Sequence, residues 1–185
     1  MFDDLKAEAL RKLGIANQNK EVDEQVIPIL EIINSKDDFF TSSSCYGRIY
    51  FMDVSKSKKD SRFLAKWHRK VSFEEVKKEL DKAEGNVWFR FEPLILHISC
   101  RDIESAKKII EIKTRLIRRG GIFQISDNRT QIELIGANRV DLPVKENNQI
   151  LVTDEYLEKI VETANSKFED NEKLWGKLEN EFTQL

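Results

Sequence analysis

The chain has 185 residues, of which 40% are hydrophobic and 35% charged, with a net charge of −2; this fits one soluble domain, residues 1–185, around a single core. No run approaches the length of a membrane span and the N-terminus lacks a signal peptide's apolar stretch, so no membrane partner and a cytoplasmic location are expected. Cys45 and Cys100 lie 55 residues apart and, with two histidines and no close carboxylate cluster, suggest neither a disulfide framework nor a zinc site, so no metal is expected.

Asp3 to Leu13 places Leu5, Ala9 and Leu13 at helical spacing, and Glu21 to Asn34 repeats the pattern with Val22, Val26, Ile29, Leu30 and Ile33. Pro28 would kink or break the start of that second helix. Phe39 to Ser44 and Arg48 to Val54 read as two strands around a turn at Tyr46 and Gly47, followed by a charged loop over Lys56 to Asp60. Ser72 with Glu75 three residues on forms a capping box for a helix reaching about Lys82, which Gly85 ends. From Val87 the period becomes two: Val87, Phe89 and Phe91 share one face, Trp88, Arg90 and Glu92 the other.

Pro93 interrupts, and its position beside Glu92 suggests a bulge or edge that aims the carboxylate. Leu94 to Ser99 resumes as an apolar strand in which His97 shares a face with Ile95 and Ser99. A helix then runs from Arg101 or Asp102 to about Arg119, ended by Gly120 and Gly121. Gly121 to Ser126 and Gln131 to Ile135 predict a hairpin around Asp127 and Asn128, Gln149 to Val152 a last strand, and Thr153 or Asp154 the cap of a helix reaching Phe182. Hairpins and separate helices, without strict strand-helix alternation, argue for an α+β fold with a mixed or mostly antiparallel sheet flanked by helices. No glycine-rich strand-turn-helix fingerprint of a Rossmann fold is present.

Charge is unevenly spread. Residues 39–140 carry +8, between flanks of −4 and −6. Lys56, Lys58, Lys59, Arg62, Lys66, Arg69 and Lys70 form one cluster in that centre, and Lys107 to Arg119 holds another. Such clusters neutralise phosphates and suit an RNA partner; solvated surface faces give the same letters.

Phe39 to Arg48, reading FFTSSSCYGR, packs four hydroxyls, a thiol, a glycine and an arginine behind two aromatics. Short polar arms, a glycine that admits a close backbone approach and a forked cation compose a ligand-binding turn; a strand end with a serine-rich loop is the plainer reading. Cys45 also admits the role of a nucleophile activated by His68 or His97, although no third orienting group is recognisable. Cys100 reads as a small core residue. His97 is either a hydrogen-bonded core histidine or a base that takes a proton from a substrate nitrogen. Trp88, Arg90 and Glu92 offer stacking, a cation and an acceptor on one face; an outer sheet face with an Arg90–Glu92 salt bridge explains them equally.

The blocks FFTSSSCYGRI, KWH at Lys66 to His68, FRFEPLILHISCRD at Phe89 to Asp102, RRGGI at Arg118 to Ile122, and Tyr156 and Leu157 with Ala164 and Asn165 resemble the wybutosine-synthesising methyltransferases that act third in making the tricyclic base beside the tRNA anticodon. Tyr46 stands where that family usually has serine, Gly120 where serine or threonine is usual, and Leu116 where glycine is common. The resemblance implies S-adenosylmethionine as cofactor and methylation of N-4 of the demethylated wybutosine precursor in phenylalanine tRNA, gripped by its anticodon arm. It further implies that Ser43, Ser44, Cys45, Gly47 and Arg48 bind the cofactor and that His97 and Glu92 orient or deprotonate the base. Trp67, His68, Lys58, Lys59, Trp88 and Arg90 would then contact the RNA. The alternative from another class is a non-catalytic RNA-binding module with a central basic face.

Overall fold

The computed structural model describes residues 1–54 and 61–185; Lys56, Lys58 and Lys59 lie outside the described residues. In chain order the elements begin with α1 (Phe2–Gln18), a 3-10 turn (Glu24–Val26), α2 (Ile27–Asn34), β1 (Phe39–Cys45), β2 (Arg48–Asp53), β3 (Arg62–Trp67), α3 (Phe73–Lys82) and β4 (Val87–Glu92). They continue with β5 (Ile95–Cys100), α4 (Ile103–Leu116), β6 (Arg119–Ser126), β7 (Arg129–Ile135), β8 (Val140–Glu146), β9 (Gln149–Ile150) and α5 (Asp154–Gln184). The fold is α+β, and the strand pairs of the described residues are all antiparallel. Two compact units emerge: Met1–Tyr46, Leu94–Ala137 and Glu172–Leu185 form one, Gly47–Pro93 and Asn138–Asn171 the other.

The first unit holds a four-stranded sheet in the order β1-β5-β7-β6. One face buries Leu96, Ile98, Ile132 and Leu134 with Ala106, Ile109 and Ile112 of α4, Ile29, Leu30 and Ile33 of α2, and Leu178 and Phe182 of α5. Each fully buried side chain of this size stabilises the fold by about 1.5–3 kcal/mol. Cys100 belongs to this core, where burial pushes its thiol up to about 12, in keeping with a small apolar residue. Pro28 sits in the first turn of α2, where its missing N–H breaks no helical bond.

The second unit holds the order β3-β2-β4-β8-β9. Its buried face carries Ile49, Phe51, Phe89 and Phe91 with Val76 and Leu80 of α3 and Leu157, Val161, Ala164 and Phe168 of α5. The capping box of α3 is present, Ser72 accepting from the Glu75 amide and Glu75 from the Ser72 amide. At the other end of α3 the buried Lys145 ammonium donates to the carbonyls of Leu80 and Ala83, each at 2.7 Å, which satisfies a cation and two helix-end acceptors together.

Three local expectations are corrected. First, the strands either side of Tyr46 and Gly47 do not pair with each other: β1 joins β5, while β2 joins β3 and β4. Within the first unit, the Tyr46 amide donates to Asp23 at 2.8 Å, its carbonyl accepts from Trp175 Nε1 at 2.8 Å, and its ring stacks on Trp175 at 5.8 Å. These bonds anchor the end of β1 independently of β2. Second, α4 stops at Leu116, and Gly120 and Gly121 lie inside β6; the buried Ile117 has extended backbone that starts the strand path instead. Third, Pro93 marks neither a bulge nor an edge at Glu92, since the β2–β4 register is continuous from Arg48–Glu92 to Asp53–Val87 and β4 lies between β2 and β8. β3 and β8 leave no clear mark in the sequence, because charge masks the period in β3 and Pro143 argues against a strand in β8.

Candidate functional site

The outward face of the second unit's sheet is built from alternate residues. Arg48, Tyr50 and Met52 of β2 stand opposite Glu92, Arg90 and Trp88 of β4. All of these but Trp88, together with Phe63 of β3, line a cleft of about 630 Å³. Arg48 reaches Glu92 Oε2 through Nε at 3.2 Å and Nη2 at 2.7 Å, and its guanidinium lies over the rings of Tyr50 and Phe63 at 5.2 and 5.3 Å. Arg139, on the approach to β8, holds the other carboxylate oxygen at 2.9 Å. Burial by itself would raise the Glu92 pKa, but the bond and charge of Arg48, with the Tyr50 hydroxyl and Arg139, hold it below the ordinary carboxylate value. The Tyr50 hydroxyl is pushed above its usual range, chiefly by burial and then by the charge of Glu92.

Arg90 does not bridge to Glu92. Its guanidinium stacks on Trp88 at 5.4 Å and pairs with Asp141 at 2.7 Å. Trp67 lies on the side of Ile49 and packs edge-on against Phe51, while Lys66, opposite Tyr50, sets its ammonium over Phe63 at 5.7 Å. His68 follows β3 and is half-buried. The space that a Gly47 side chain would need is taken by the protein itself, since a Cβ there would stand 2.8 Å from Asn171 Nδ2. Of the basic cluster, Arg62 faces Asp53, Arg69 pairs with Glu75 and Lys70 with Glu169, so much of its charge is locally balanced.

Ser43, Ser44, Cys45 and His97 belong to the first unit. Ser43 stands directly opposite His97, and His97 opposite Glu133, in one row across β1, β5 and β7. His97 Nε2 lies 3.0 Å from Glu133 Oε1. An ionised carboxylate only accepts, so in the neutral ring Nε2 carries the hydrogen and Nδ1 keeps its lone pair. The hydroxyls of Thr41 to Ser44 also border a cleft of about 550 Å³ beside α1, together with Lys12 and Arg129. Tyr50, Arg139, Asp141 and Glu133 escaped the sequence reading. Tyr50 carried a signal, the period-two spacing from Arg48; the others depend on strand pairing with no local mark.

These features define an α+β protein with two antiparallel sheets, one bearing a cleft of arginines, a carboxylate and aromatics. The family model described as Methyltransferase TYW3 matches residues 4–184, and the chain belongs to that methyltransferase family. A relative from Methanocaldococcus jannaschii, named tRNA(Phe) 7-((3-amino-3-carboxypropyl)-4-demethylwyosine(37)-N(4))-methyltransferase, is 37% identical over 97% of this chain and 96% of its own. A mouse relative, named tRNA wybutosine-synthesizing protein 3 homolog, is 30% identical over 97% of this chain and 72% of its own. The solved structure of the PH1069 protein from Pyrococcus horikoshii superposes with a TM-score of 0.93 at 36% identity, covering 98% of this chain and 95% of that one. As a methyltransferase the chain requires a methyl donor.

Proposed function

We propose that this chain transfers a methyl group from S-adenosylmethionine to N-4 of the 7-(3-amino-3-carboxypropyl)-4-demethylwyosine base at position 37 of phenylalanine tRNA, in the cytoplasm, as a step of wybutosine biosynthesis. The observation that carries this reading is the match to relatives named for that reaction over nearly the whole chain. The cleft on the second unit suits the cofactor's amino-acid head: Arg48 and Arg139 are cations for its carboxylate, Glu92 an anion for its ammonium, and a guanidinium has five donors in all. Ser43, Ser44 and Cys45 offer hydroxyls and a thiol to ligand groups, and Gly47 fixes the entry to β2.

S-adenosylmethionine supplies an electrophilic methyl group on a sulfonium sulfur, so the protein's task is to orient, dry and move one proton. As the N-4 nitrogen gains the methyl its proton must leave, and His97 Nδ1 is the acceptor, with Glu133 steadying the imidazolium that forms. Glu92 fixes Arg48 against Tyr50 and Phe63, so the fork is held before any ligand enters. Trp88, Arg90, His68, Lys58 and Lys59 serve the anticodon arm by stacking and phosphate contact, whereas Trp67, on the side of buried Ile49 and against Phe51, packs the core instead. Isothermal calorimetry of S-adenosylmethionine into the wild type and Arg48→Ala tests the cofactor assignment: saturable heat in the first and none in the second is expected. A folded wild type without heat, alone and with phenylalanine tRNA present, would overturn it.

A further inference from the structure

On the first unit's sheet the row Ser43–His97–Glu133 continues to Gly121 of β6, the edge strand. Between Ile122 and Gln124 the register shifts, so one extra residue, Phe123, is inserted against β7. Its ring comes to 5.2 Å from the His97 ring, yet remains 52% exposed. Ile122 and Ile125 on the same strand are 40% and 67% exposed but stand opposite Ile132 and Thr130, on the other face of the sheet from His97. An edge strand this apolar is unusual, since exposed edges are ordinarily blunted by charge. Beside Phe123, Gly121 has no heavy atom within 4 Å of where a Cβ would stand. The result is open space over a glycine, bounded by an exposed aromatic and a histidine, with Arg118 and Arg119 exposed at the start of the strand. An exposed aromatic beside an open glycine, with His97 and Glu133 alongside and cations at the start of the strand, fits a planar, phosphate-linked ring better than another protein strand, which would meet those charges along the edge.

We propose that Phe123 is the stacking platform for the tricyclic base, which lies over Gly121 with its edge at His97. This rests on the methyltransferase reading above. Stacking a base on an aromatic ring is sequence-tolerant but demands a flat face, so the ring size of the base and the planarity of residue 123 both matter.

The test compares binding of two phenylalanine tRNAs, one with the tricyclic precursor and one with plain guanosine at position 37, to the wild type, Phe123→Ala, Phe123→Leu and Phe123→Trp. The wild type should prefer the tricyclic tRNA; Phe123→Ala and Phe123→Leu should lose about ten-fold of that preference, weakening binding of the guanosine tRNA less than of the tricyclic one, and Phe123→Trp should keep it. Methylation should show the same order as a raised KM with kcat little altered. An active wild type whose Phe123→Ala variant keeps full preference overturns the platform alone. A wild type that transfers no methyl group to the tricyclic tRNA overturns the methyltransferase reading and the platform with it. A wild-type dimer by sedimentation that Phe123→Ala converts to a monomer makes the patch an interface between copies, which also overturns the platform.

Discussion

Arg48 and Glu92 are 44 residues apart in sequence and become direct cross-strand partners only through the β2–β4 register. Resemblance identified both, yet nothing in their spacing paired them, and Arg139, which completes the grip on Glu92, had no local signal at all. Arg48→Lys keeps the charge but cannot donate from two nitrogens or lie flat on Tyr50, so S-adenosylmethionine affinity should fall at least about ten-fold, with folding retained. Calorimetry beside a thermal melt checks both. Glu92 also sets a pH dependence. Its folded pKa lies below the unfolded value of about 4.5, so its stabilisation is complete above that value and lost as pH falls through the folded pKa. The difference in melting temperature between the wild type and Glu92→Gln should therefore be constant near neutrality and close below about pH 4.5. A difference that stays the same down to pH 3 would show that the ion pair contributes nothing.

At the scale of elements, Gly120 illustrates a residue whose role depends wholly on its partner strand. With φ of +87°, a Cβ there would stand 2.0 Å from the carbonyl oxygen of Glu133. Gly120→Ala should cost roughly 2–4 kcal/mol by combining left-handed strain with backbone collision. Gly121→Ala, strained at φ +154° but facing open space, should cost about 1 kcal/mol. Denaturant titration of the two variants separates them, and equal losses would contradict the account. The same pair of glycines shows what local sequence hides: two glycines after a helical stripe read as a stop signal, whereas the helix has already ended at Leu116 and the glycines permit close pairing with β7. Signals that act within one turn were legible, such as the Ser72–Glu75 box and the alternation from Val87 to Glu92. Strand partners were not, because β1 and β2 are separated by a turn-like Tyr46–Gly47 yet belong to different sheets.

For the molecule as a whole, the α+β class and the antiparallel pairing followed from alternation and hairpin spacing, but their division over two sheets did not. Period two says which residues share a face and is silent on which strand lies alongside. The central excess of positive charge is similarly only half informative, since Arg62, Arg69 and Lys70 each face a carboxylate. The central claim is the reaction itself. Purified protein would be incubated with S-adenosylmethionine and phenylalanine tRNA carrying the 7-(3-amino-3-carboxypropyl)-4-demethylwyosine base, and the digested nucleosides weighed by mass spectrometry. The tricyclic nucleoside should gain the mass of one methylene, with the methyl on N-4 by fragmentation, and His97→Ala should slow that gain by at least about a hundred-fold. Recovery of the tricyclic nucleoside unchanged, with folded protein and saturating cofactor, would contradict the account.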